Sequence, residues 1–175
     1  MKKLIGVAIL AVALGAAAGA QAFTAGTGAG VVLERGPNHA RLSPYAGFSL
    51  RRDFALSAGA LEAQADFRAG SLVGTVLSLR LGAGYRAPSI GPWIPAAGIG
   101  IEADFGDALF MAESLVVAPP ETMGYAVLRL EPLRFRSDGW EFSLFSADVG
   151  MGFERFGRTW RVAADILRVE RRLGR

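Results

Sequence analysis

The chain has 175 residues, no cysteine, and 19 Lys+Arg against 16 Asp+Glu. At 51% hydrophobic and 20% charged it is too apolar for a disordered chain, and its length suits one domain. Both lysines lie in residues 1–22, so the other 153 residues carry 17 arginines against 16 acids; that near-neutral balance argues against nucleic acid as a partner.

Residues 1–22 have the three parts of a secretory signal. Lys2 and Lys3 are followed by an apolar run from Leu4 to Leu14, broken only by Gly6, and then by small residues ending in Ala20-Gln21-Ala22. The expectation is cleavage before Phe23, with one domain over 23–175. An exported chain without cysteine has no disulfides to rely on, so packing and hydrogen bonding must hold it.

From residue 24 onward the pattern alternates with period two. Segments 24–35, 41–52 and 55–68 read as strands, the third against a competing alanine-rich helix. Over Thr75 to Arg86, Leu77, Leu79, Leu81, Ala83 and Tyr85 share one face and Ser78, Arg80, Gly82, Gly84 and Arg86 the other. Ile99, Ile101, Ala103 and Phe105 alternate with Gly100, Glu102, Asp104 and Gly106. Weaker alternation covers 108–118 and 123–136, and Phe145 to Glu154 alternates again. Segment 159–173 reads either as a strand over Trp160 to Ile166 with a basic tail from about 168, or as an amphipathic helix. Turn residues stand between the segments, among them Gly36-Pro37-Asn38, Pro88 to Pro95 and Asp138-Gly139. The expected fold is all-β, an antiparallel up-and-down barrel. Nine segments qualify, but a closed meander with both ends on one side needs an even number, and eight is the favoured count.

Alternation alone does not say which face points outward. Three features favour an apolar exterior. Aromatics gather at strand ends (Tyr85, Trp93, Phe105, Phe110, Phe135, Trp140, Phe153, Phe156 and Trp160), as in the interfacial girdles of membrane barrels. Glycines keep to the polar face, where missing side chains leave room inside a narrow barrel and let strands curve. The polar face carries both signs (Glu62, Asp66, Arg68, Arg80, Glu102, Asp104, Arg129, Glu131 and Asp148), a set able to pair with itself in an enclosed lumen. The same alternation turned inside out describes a soluble periplasmic lipocalin-like barrel around an apolar ligand.

As a pattern over residues 23–170, with no diagnostic motif, the chain resembles the small eight-stranded outer-membrane barrels of diderm bacteria. The resemblance implies an outer-membrane location, membrane lipids as partners, a porin-like wall with a plugged lumen, and a structural or interaction role. Such proteins usually end in a strand closing on an aromatic residue, whereas this chain ends Leu173-Gly174-Arg175.

The resemblance also brings in lipid A deacylases and acyltransferases built on His/Ser groups. His39 is the single histidine and Ser43 lies four residues on, but no compact motif supplies a positioned base and an orienting partner. A lipid-modifying enzyme is therefore the third reading, and no enzyme is expected. One imidazole and no thiol cannot furnish a zinc site. Glu102/Asp104/Asp107 and Glu62/Asp66 are the carboxylate groups to weigh for calcium or paired-acid chemistry, with arginines plentiful enough to neutralise them. No cofactor is expected.

Overall fold

The computed structural model describes residues 23–35, 40–71, 75–105, 124–153 and 158–173. Ten strand segments build the wall: β1 (Phe23–Arg35), β2 (Ala40–Ala55), β3 (Ala60–Ser71), β4 (Thr75–Arg86), β5 (Ala96–Asp104), β6 (Gly124–Glu131), β7 (Arg134–Ser137), β8 (Trp140–Ser143), β9 (Ser146–Gly152) and β10 (Trp160–Leu173). All pairings are antiparallel, and β1 pairs with both β2 and β10, from Phe23↔Arg52 and Phe23↔Leu173 to Arg35↔Ala40 and Arg35↔Trp160. Segments β6 and β7 are two halves of one stave, as are β8 and β9. The result is the eight-stranded closed antiparallel barrel expected from the alternation.

The hairpin between β7 and β8 turns through Asp138 (φ 48°) and Gly139 (φ 79°), the two left-handed residues of a type I′ connection. Residues 92–94 extend β5 along β7: the Ile94 N–H donates to the Arg134 carbonyl at 2.8 Å and the Arg136 N–H to the Pro92 carbonyl at 2.7 Å. The 55–59 end of the predicted 55–68 strand is instead the end of β2 and a turn, in which the Leu56 N–H donates to the Gly59 carbonyl. Segment 108–118 lies outside the described residues.

Three staves depart from strict alternation in the same row. Pro132-Leu133, Leu144-Phe145 and Ile166-Leu167 are each two consecutive exposed residues between buried neighbours. Across this row β8–β9 stays in step with β6–β7 and with β10, but β10 carries one residue more than β1 and β7 one more than the 92–96 segment. These are β-bulges aligned across neighbouring strands. The bulge in β10 sets Ile166 and Leu167 side by side on the outer face with Val162, while Ala163 is buried on the inner one, so the helix-like spacing of the four does not correspond to a shared face. The strand then runs through Leu173, so the expected basic tail from about 168 is part of the wall.

Candidate functional site

The alternation sorts the side chains by charge. Inward positions of the described strands include ten arginines (51, 68, 80, 86, 129, 134, 136, 161, 168, 172) and eleven carboxylates (34, 53, 62, 66, 102, 104, 131, 141, 148, 165, 170). Most are buried; Arg86, Asp53, Arg136 and Arg172 sit at the rim where β1 begins and β10 ends. Eight strands enclose a space that side chains fill, and arginine suits it because its planar fork can bond two carboxylate oxygens at once.

The ion pairs join into one network from rim to rim. Arg136 pairs with Glu141, which accepts from Arg134 at 2.5 Å. Arg134 also reaches Glu62 at 2.8 Å and Glu131 at 3.4 Å. Arg51 holds Glu131 bidentately at 2.8 and 2.6 Å, and Glu131 meets Arg129 at 2.6 Å. Arg129 continues to Asp66 and Asp165, both at 2.8 Å. Arg80 joins Asp66 at 2.5 Å to Asp148 at 2.9 Å. Asp148 also pairs with Arg68, Arg68 with Glu102 at 3.2 Å, and Arg161 links Glu102 at 3.3 Å to Asp104 at 3.1 Å. Hydroxyls add donors: Tyr45 to Asp165, Ser49 to Glu170 and Ser78 to Glu102, each at 2.5 Å. All nine charged residues singled out from the sequence face this lumen and are buried.

The reading from sequence left out Arg51, Arg134, Glu141, Arg161, Asp165, Arg168 and Glu170. Arg51 shares parity with Ser49 and was within reach of the same argument. Arg168 and Glu170 lie beyond the Ile166-Leu167 bulge, which reverses their parity relative to Arg161 and Asp165, and a period-two count gives no sign of that reversal.

Glycines line one side of the interior. Gly82 and Gly84 of β4 pair with Gly100 and Gly98 of β5. Gly82, Gly84 and Gly98 line, with Glu62, Gln64, Arg80, Arg129 and Glu131, a cleft of about 10 Å³, room for about one water. A Cβ on Gly100 would lie 2.5 Å from the Leu81 carbonyl oxygen, so close strand approach also requires these glycines.

The outer face is apolar. Twenty-seven large apolar side chains of the described residues are more than a third exposed, including Ile99 at 70%, Phe48 at 50% and Leu128 at 47%. No carboxylate of the described strands faces outward, and Arg35, Arg52 and Arg171 lie outward near the ends. The aromatic positions divide between the rims. Tyr85, Trp93, Phe135 and Trp140 stand at the rim where β1 begins and β10 ends, and Phe105, Phe153 and Trp160 at the opposite one. Tyr85 donates to the Ala58 carbonyl and Trp93 Nε1 to that of Pro132, both at 2.7 Å. Phe110 and Phe156 lie outside the described residues.

Of the residues considered for chemistry, Ser43 is buried and faces inward, while His39 and Asp107 lie outside the described residues. Glu102 and Asp104 share Arg161, and Glu62 and Asp66 are held by Arg134 and Arg80 respectively. Among the described residues no group of three His, Asp or Glu side chains is placed to hold a metal ion. No protein-family model, curated protein or solved structure matches the chain.

Proposed function

We propose that the chain is an integral β-barrel of a bacterial outer membrane, with a structural or interaction role and a lumen plugged by its own ion pairs. The observation that carries this reading is the polarity of the wall, charges within and hydrocarbon without. Soluble monomers rarely expose contiguous apolar patches beyond a few hundred Å², and twenty-seven large apolar side chains lie exposed on this small barrel. A lipid surround makes the same face favourable, and a closed barrel leaves no unpaired edge in hydrocarbon.

Dimensions agree. Eleven residue steps of β10 separate Trp160 from Arg171, which pairs with Trp140. That is about 36 Å along the strand, or about 28 Å along the axis at a usual barrel tilt, close to the thickness of a bilayer's hydrocarbon core. A lipocalin-like barrel would need apolar side chains around its lumen, and arginines and carboxylates occupy those positions here.

Cell fractionation followed by gel electrophoresis with and without boiling tests it. The expected result is recovery in the detergent-extracted outer-membrane fraction with heat-dependent mobility. Release with the soluble periplasmic contents would overturn it.

A further inference from the structure

We propose that the lumen holds one ordered water in the cavity beside Gly28 of β1 and Gly47 of β2, where it completes the hydrogen bonding of Arg68. The two glycines are paired across β1 and β2 and both occupy inward positions. With Tyr45, Ser49, Asp66, Arg68, Asp165 and Arg168 they line a cavity of about 10 Å³, room for about one water. Close strand approach does not account for the glycine at 28. A Cβ on Gly26 or Gly30, the inward positions on either side, would lie 2.2 or 2.1 Å from a carbonyl oxygen of β10. One on Gly28 would meet nothing nearer than the Leu167 carbonyl at 3.1 Å, which a shift of a few tenths of an ångström relieves. What the missing side chain provides at 28 is room for something else to approach the backbone.

The cavity wall supplies the partners a water needs. Arg68 directs its terminal nitrogens to Glu102 and Asp148, while its Nε is buried without a hydrogen-bond partner among the described residues. An N–H left unpaired in the interior is costly, and a small acceptor beside it removes that cost. Tyr45 donates its hydroxyl hydrogen to Asp165 and Ser49 donates to Glu170, which leaves both hydroxyl oxygens with lone pairs to accept. A water that accepts from Arg68 Nε and donates to two of these oxygens or to Asp66 has about three partners, the usual number for a buried water. Charge selects a neutral occupant. Asp66 and Asp165 balance Arg68 and Arg168 around the cavity, so no net charge remains for an ion to neutralise. The site is enclosed by the barrel and does not depend on what surrounds the outer wall.

X-ray radiolysis tests it, because irradiation converts water to hydroxyl radicals where it stands and these oxidise the adjacent side chain. The full chain, folded in detergent, is irradiated briefly and its tyrosines are followed by peptide mass spectrometry. Tyr45 lines the cavity and is 5% exposed; Tyr125, 0% exposed and no part of this cavity, is the internal reference. The expected result is oxidation of Tyr45 several times faster than that of Tyr125. Gly28→Ser puts a hydroxyl where the water stands, and should slow Tyr45 severalfold toward the Tyr125 rate. Oxidation of Tyr45 no faster than that of Tyr125 in the unaltered chain would overturn the site. Undiminished Tyr45 oxidation in a folded Gly28→Ser barrel would overturn it too, by placing the water elsewhere. The comparison of the two tyrosines within the unaltered chain decides the matter even where the serine variant fails to fold.

Discussion

Arg129 of β6 donates to Asp66 of β3 at 2.8 Å, although β4 and β5 lie between their strands along the wall. The bond crosses the lumen and ties opposite sides of the cylinder. Asp66 also accepts from Arg80, so one carboxylate balances two guanidinium groups. Replacing it by alanine leaves both cations short of a counter-charge. Asp66→Ala should cost about 3–5 kcal/mol, the usual penalty for breaking a buried pair from one side. Reversible urea unfolding in detergent or thin bilayers measures it, and a cost below about 1 kcal/mol would show that the lumen is well hydrated.

The bidentate Arg51–Glu131 pair allows a sharper test of what the network contributes. Arg51→Met and Glu131→Leu should each destabilise, but the double variant should cost clearly less than their sum, because neither charge is then stranded. The same unfolding assay closes the cycle. Additive costs would mean that the two groups act independently.

Ile99 faces outward at mid-wall and is 70% exposed. In water, Ile99→Arg there would change stability by less than about 0.5 kcal/mol. Against lipid the same substitution should cost about 2–4 kcal/mol near the bilayer midplane, whereas a new arginine beside Trp160 at the rim should cost about 0–1. Refolding titrations into vesicles read this depth dependence. Equal costs at both depths would contradict a lipid-facing wall.

Two glycines should respond differently to alanine. A Cβ at Gly100 meets the Leu81 carbonyl at 2.5 Å and the Gly82 Cα at 3.0 Å, whereas at Gly150 the nearest atoms, in Tyr125 and Val127, are 3.4 Å away. Gly100→Ala should lose about 1–3 kcal/mol through forced strand displacement, and Gly150→Ala should stay near the unaltered protein. Thermal unfolding of the pair distinguishes backbone approach from a general need for small residues.

Regular strands were readable in advance because period two is a property of the backbone. Leu77 to Tyr85 and Ile99 to Phe105 lie on the face assigned to them, and the opposite residues point inward. The interruptions were not readable. Nothing in Pro132-Leu133 or Leu144-Phe145 announces that two successive side chains share a face, since that depends on the partner strand keeping step. Trp140 to Ser143 accordingly belonged to no predicted strand, and Glu141, which binds both Arg134 and Arg136, was overlooked. Arg161 and Asp165 were obscured by the helix-like spacing of the residues around the Ile166-Leu167 bulge.

The aligned bulges have a geometric consequence for the curvature of the wall. The consecutive staves β6–β7, β8–β9 and β10 each contain one residue that β1 and the 92–104 stretch lack, yet β1 and β10 are paired on both sides of the row, from Phe23↔Leu173 to Arg35↔Trp160, so the extra residue adds no height. It is taken up as a bend and a stronger twist, and the flank that carries Pro132, Leu144 and Ile166 should curve more sharply at that level than the glycine-lined flank of β4 and β5.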